Sequence, residues 1–218
     1  MHVRLKEPFN GLSHLAGAFL AVAGLALLVT LAARQATTWH VVSFALFGAT
    51  MIMLYSASAL YHLLPVSRRC QRRLKTLDHI MIFMLIAGTY TPLCLVVLGG
   101  AWGWSLFGVT WGLAVLGSVF KLFWIGAPRW LSTTIYLAMG WLCLVVVYPL
   151  TQAMPAGGLA WLAGGGACYT LGAVVYATGR PNPWPRVLGS HGLWHLFVLG
   201  GTFCHFWVML RYVMRLPA

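Results

Sequence analysis

Seven apolar stretches separated by short polar or turn-rich breaks organise the chain, at residues 15–33, 41–64, 78–98, 102–120, 131–148, 159–177 and 191–213. Crossing a hydrocarbon core takes about 20 apolar residues in helical form, because a helix satisfies its own backbone polar groups where no water can. Each stretch has about that length. The breaks carry Pro65, Gly99-Gly100, Pro128, Pro149 with Pro155, and Pro181, Pro183 and Pro185, which interrupt helices and build turns. The pattern predicts an all-α integral membrane protein, a seven-transmembrane helix bundle that fills 1–218 as one membrane domain.

Composition sharpens this picture. The chain is 61% hydrophobic and 7% charged, with a mean hydropathy of +0.84, whereas a soluble domain is roughly 25% charged. The formal net charge of +12 does not point to nucleic acid, since no basic surface module remains once the apolar segments are removed. The expected partners are membrane lipids, through cations that set topology and meet anionic headgroups. The first apolar run follows a polar, amphipathic segment and lacks an evident A-x-A cleavage site, so it is expected to stay as a span. Cys70, Cys94, Cys143, Cys168 and Cys204 are scattered, which argues against a disulfide framework. Nothing in the sequence sets the oligomeric state.

Orientation follows from the basic residues. Arg4 and Lys6 in the N-terminal segment, Arg68, Arg69, Arg72, Arg73 and Lys75 in the second loop, Lys121 and Arg129 in the fourth, and Arg180 and Arg186 in the sixth fall on one side of a seven-span arrangement, and only Arg34, Arg211 and Arg215 on the other. The positive-inside rule then puts the N-terminus in the cytoplasm and the C-terminus outside. With no long extensions, a bacterial inner membrane is the expected location.

Against this background the polar residues stand out. His191 and His195 are four apart near the start of the last run; on a helix they lie about 40° apart around the axis and one turn apart along it, a metal-chelating spacing. A zinc-protease signature would place Glu after the first His, and here Gly192 occupies that position. The topology brings His62 at the end of the second helix, Ser58 one turn deeper, and Asp78 at the expected start of the third helix to the same face. An uncompensated Asp at the centre of a membrane helix costs about 3 kcal/mol. A divalent cation held by His62, His191 and His195 answers both the spacing and the charge. Three ligands leave a fourth position for water, the pattern of a catalytic zinc site, with Asp78 as general base or orienter and Ser58 as a hydrogen-bond donor.

Other polar residues are weaker candidates. His2, His40 and His79 are expected to be headgroup-facing or hydrogen-bonded. His205, about 15 Å along the axis from His195, is expected to form a buried hydrogen bond. Glu7, Asn10 and His14 precede or open the first helix on the same side, where a cap and interface anchor is the favoured role for Glu7. Gly108-x-x-x-Gly112 and Gly164 to Gly166 are expected to be close helix contacts. Thr91-Pro92 is expected to kink the third helix, the Thr hydroxyl helping to satisfy a freed carbonyl.

Taken together, Glu7-x-x-Asn10-x-x-x-His14, Ser58-x-x-x-His62 with Asp78 sixteen residues on, Ala87-Gly-Thr-Tyr-Thr-Pro92 and His191-x-x-x-His195 resemble the hemolysin III branch of the progestin and adipoQ receptor family across essentially the whole chain. The resemblance implies a cytoplasmic N-terminus and a zinc ion near the cytoplasmic side, ligated by His62, His191 and His195, with Asp78 reaching it through water and Ser58 nearby. It also implies, through adiponectin receptors and alkaline ceramidases, hydrolysis of a ceramide-like or other acyl lipid amide or ester. Many hemolysin III proteins carry a polar or acidic residue where this chain has Gly192. The alternatives are a receptor-like or membrane-homeostasis protein with a structural zinc and, less favoured, a haemolytic or pore-forming protein, since the polar residues cluster at one end and do not line a path.

Overall fold

The computed structural model describes residues 5–216, so His2 and Arg4 lie outside the described residues. Among the described residues seven helices are long and apolar enough to cross a membrane: α1 Pro8–Gln35, α2 Thr38–Leu63, α3 Arg68–Leu98, α4 Gly100–Phe123, α5 Arg129–Ala153, α6 Ala156–Thr178 and α7 Gly189–Arg215. Local chemistry sets their ends. Pro8 opens α1, where a missing N–H is harmless. The Ser67 side chain caps α3 by accepting from Cys70 N–H. Gly99 alone separates α3 from α4, with φ +56°, a conformation that favours glycine. All five cysteines are free.

The small residues of α1, Gly11, Gly17, Ala18, Ala21 and Gly24, face inward. Large apolar side chains such as Phe19, Leu116 and Phe123 point out of the bundle, as a lipid-facing surface requires. Contacts between distant positions fix the arrangement of the ends. Backbone Glu7 N–H donates to His62 O, Gln71 Nε2 donates to Tyr61 O, and the His195 ring meets the backbone of Asn10. The beginnings of α1, α3 and α7 and the end of α2 therefore share one end of the bundle.

Several expectations need correction. The third helix begins at Arg68, not at Asp78: Arg and Lys are good helix formers, so the helix continues into the basic segment and Asp78 lies well inside it. Lys121 does not belong to a loop; it sits in the last turn of α4 and is only 1% exposed, with its ammonium donating to Ser132 Oγ of α5. A Cβ added at Gly108 or Gly112 would meet open space, so that motif is no close contact within the chain, whereas one at Gly165 would strike the His205 ring. The Thr91 hydroxyl donates to Ala87 O, not to Gly88 O, the carbonyl that Pro92 leaves without its N–H partner.

Two helices are irregular where they border the interior. A π-helical turn, Leu93–Leu98, follows Pro92 in α3, and a 3-10 segment, Trp141–Val146, interrupts α5. Irregular backbone at membrane depth needs partners inside the protein. Tyr90 supplies them: its hydroxyl donates to Gly140 O at 2.6 Å and accepts from Cys143 N–H at 2.9 Å. Beside this break lies a largely apolar cavity of about 370 Å³, bordered by residues of α1, α2, α3, α5, α6 and α7.

Candidate metal centre

The last turn of α2 and the first two turns of α7 bring His62, His191 and His195 together, with one ligand atom from each within 4.8 Å of the others. His62 Nε2 and His191 Nε2 are 3.3 Å apart, and His195 Nε2 and His191 Nε2 are 3.2 Å apart. His62 and His195 are almost fully buried.

The first helix decides which way the rings present their lone pairs. His62 Nδ1–H donates to Glu7 Oε2 at 2.7 Å, since an ionised carboxylate only accepts. His195 Nδ1–H donates to the backbone carbonyl of Asn10 at 3.1 Å, again an acceptor only. In the neutral rings both protons therefore sit on Nδ1, and both Nε2 atoms turn unprotonated lone pairs toward His191. Three nitrogens so arranged suit a cation, and these outer hydrogen bonds are the kind that fix the tautomer of a metal-binding imidazole. The donor set, three neutral nitrogens, fits zinc or another divalent ion of similar softness.

Glu7 is itself held in place. Asn10 Nδ2 donates to its Oε2 at 3.0 Å, and Lys6 Nζ lies 3.4 Å from its Oε1. The hydrogen bond from His62, chiefly, draws its carboxyl down to about 2, against the opposing effect of burial. Glu7 is expected from its position to cap α1, but its side chain makes no capping bond. The Glu7-x-x-Asn10 spacing, one helical turn, was the available signal.

Asp78 and Ser58 do not join the three nitrogens. Both are buried and border the adjoining cavity. Asp78 Oδ2 is also 3.6 Å from His79 Nδ1, whose own bond goes to Lys75 O. His14 completes this end of the cavity. Its ring stacks on His195 at 3.7 Å, and neither of its nitrogens has a hydrogen-bond partner.

The remaining histidines are satisfied elsewhere. His205 Nδ1–H donates to Gly201 O at 2.7 Å. His40 Nε2–H donates to Val213 O at 3.1 Å while its Nδ1 meets the Thr37 hydroxyl. Gly192 has a packing explanation: a Cβ there would come within 2.9 Å of Asn10 Oδ1 and Phe9 Cδ1. The close approach of α1 that steers His195 therefore leaves no room for a side chain after His191.

Comparison with known proteins identifies the family. The profile described as Haemolysin-III related matches residues 2–206. The chain is 37% identical to Hemolysin-3 homolog of Bacillus subtilis (strain 168) over 97% of its own length and 96% of that protein's. It is 36% identical to Hemolysin-3 of Bacillus cereus over 96% and 92%. It is also 25% identical to Monocyte to macrophage differentiation factor of Homo sapiens over 82% and 74%, which extends the likeness to adiponectin-receptor-like proteins. Seven apolar spans and these full-length bacterial relatives are those of an integral protein of a bacterial plasma membrane. The chain belongs to the haemolysin-III-related family of membrane proteins.

Proposed function

We propose that this chain is a zinc-dependent membrane hydrolase that cleaves an amide or ester bond of an acyl lipid, with its polar site toward the cytoplasm. The observation that carries the reading is an adjacency. Three imidazole nitrogens converge with two of their Nδ1 protons held by Glu7 and Asn10, beside a cavity whose polar residues include Asp78, Ser58 and His14 and whose remaining lining is mostly apolar. Zinc held by His62, His191 and His195 would supply Lewis-acid polarisation and bring the pKa of water to about 7.

The chain's own residues divide the remaining work. Asp78 takes up and returns a proton at its carboxylate. Ser58 donates from its hydroxyl to the carbonyl oxygen on which negative charge develops. The wall formed by Leu54, Leu85, Ile86, Val198 and their neighbours accommodates an acyl chain and keeps water from it, and a cavity of about 370 Å³ is within the size range of small-molecule sites.

The test is turnover by the purified, zinc-loaded chain against ceramides, N-acyl amides and phospholipids, with and without chelator. The reading expects one class to be cleaved, chelator to stop the reaction, and Asp78→Ala to keep zinc while losing activity. Stoichiometric zinc in a folded protein that cleaves none of them would sink it.

A second reading has its own observation. The three nitrogens come from α2 and α7 alone, and α1 grips two of the rings, so a metal there would tie the first, second and last helices together. In that reading the protein is receptor-like or regulatory, and zinc removal lowers stability with no catalytic consequence.

A further inference from the structure

A second concave site, of about 510 Å³, opens where the α2–α3 loop meets the α4–α5 loop, and it is built differently from the cavity beside the histidines. Lys6, Arg68, Arg72 and Lys75 line it, together with Tyr61 and Gln71. Arg68, Arg72 and Lys75 stand at i, i+4 and i+7 on α3, so three cations share one helix face. Like charges at that spacing repel. Among the described residues the only carboxylates are Glu7 and Asp78. Glu7 is engaged by His62 and Lys6, and Asp78 is buried beside His79, so no side-chain carboxylate pairs with the α3 stripe.

The position adds to the charge. Ile125 and Gly126 close the site from the α4–α5 loop, and the residues flanking that loop are exposed aromatics: Phe123, 85% exposed, Trp124 and Trp130. Exposed Trp at helix ends marks the headgroup level of a bilayer. The site is preorganised as well. Gln71 Nε2 donates to Tyr61 O at 2.9 Å, fixing α3 against α2, and Lys6 Nζ lies 4.2 Å above the centre of the Tyr61 ring.

The geometry points to a binding site for the phosphate headgroup of an anionic phospholipid, formed by Arg68, Arg72, Lys75 and Lys6. Arginine presents a planar donor fork suited to phosphate oxygens, and basic pockets between membrane helices take lipid headgroups in this way. Lys6 also contacts Glu7, the carboxylate that orients His62, so the headgroup site adjoins the metal centre without sharing a ligand with it.

The test uses the full chain purified in detergent and titrated with short-chain phosphatidylglycerol, short-chain phosphatidylcholine or inorganic phosphate, with binding read by native mass spectrometry. Phosphatidylglycerol is expected to bind at least about tenfold tighter than phosphatidylcholine, and inorganic phosphate not to displace it. Arg72→Gln/Lys75→Gln is expected to weaken phosphatidylglycerol binding about thirtyfold, at about fivefold per cation. Arg69→Gln/Arg73→Gln removes the same formal charge from residues that do not line the site and is expected to leave binding nearly unchanged. Equal losses in the two double variants, no preference for the anionic lipid, or full displacement by inorganic phosphate would each overturn the assignment. If the first double variant does not yield folded protein, Lys75→Gln alone decides, with a loss of about fivefold expected and no loss counting against the site.

Discussion

His62 and Glu7, far apart in sequence, are joined by a 2.7 Å hydrogen bond in which the imidazole Nδ1–H donates to the carboxylate. This contact turns α1 from a neighbouring helix into a part of the candidate metal centre. The Glu7 carboxyl, held near 2 chiefly by that bond, is ionised at any pH near neutrality. It therefore favours the tautomer that leaves His62 Nε2 free. Glu7→Gln keeps an acceptor oxygen but loses the charge, and outer-sphere changes of this kind weaken metal affinity about 10- to 100-fold. Zinc competition against a chromophoric chelator should show that loss with stoichiometry retained at saturation. An unchanged affinity would reduce Glu7 to an interface residue.

The ligand set itself makes a sharper prediction. His62→Ala, His191→Ala and His195→Ala each remove one of three nitrogens that meet within 4.8 Å, and none of the other histidines in the described residues belongs to that group. Each variant should lose stoichiometric zinc by elemental analysis. His205→Ala, which removes only a bond to Gly201 O, should keep it. Zinc retained in any of the first three would take that residue out of the set.

Gly192 connects packing to metal binding. A methyl group there would lie 2.9 Å from Asn10 Oδ1 and Phe9 Cδ1, and overpacking of a tight contact costs about 1–3 kcal/mol. The clash falls on the side chain of Asn10, the residue whose backbone carbonyl orients His195. Gly192→Ala should therefore lower both the melting temperature in detergent and the zinc affinity, whereas Gly108→Ala, facing open space, should change neither. If Gly192→Ala melts lower but binds zinc as the parent does, the steering role of Asn10 falls away.

Much of this site was legible in the sequence because two periodicities carry it. The span length sets which helix ends meet, and the four-residue spacings of Ser58 with His62 and of His191 with His195 set which side chains share a face. Those two constraints were enough to select the three histidines. They say nothing about what lies beside a helix end, which is why Glu7 and Asn10, held by contacts to α2 and α7, were not assigned. Nor do they fix how far a helix runs beyond its apolar stretch, so Asp78 was placed at a helix start that the structure moves to Arg68. Gly108 and Gly112 failed for a related reason: spacing defines a stripe but not the neighbour it faces.

Lys121 shows what a charge count cannot reveal, and it gives the last prediction. Counted among loop cations, it is in fact buried in α4 with its ammonium bonded to Ser132 Oγ. Ser132 Oγ accepts from its charged end, and the face of Phe120 lies 5.3 Å away. Removing one partner of a buried charged hydrogen bond costs about 1–3 kcal/mol, whereas replacing both with apolar groups of similar shape is nearly neutral. Ser132→Ala should therefore lower the melting temperature in detergent. Lys121→Met/Ser132→Ala should recover most of the loss, because it removes the stranded ammonium rather than exposing it. A double variant no more stable than Ser132→Ala would mean that the lysine contributes through its packing, with the ammonium bond of little consequence.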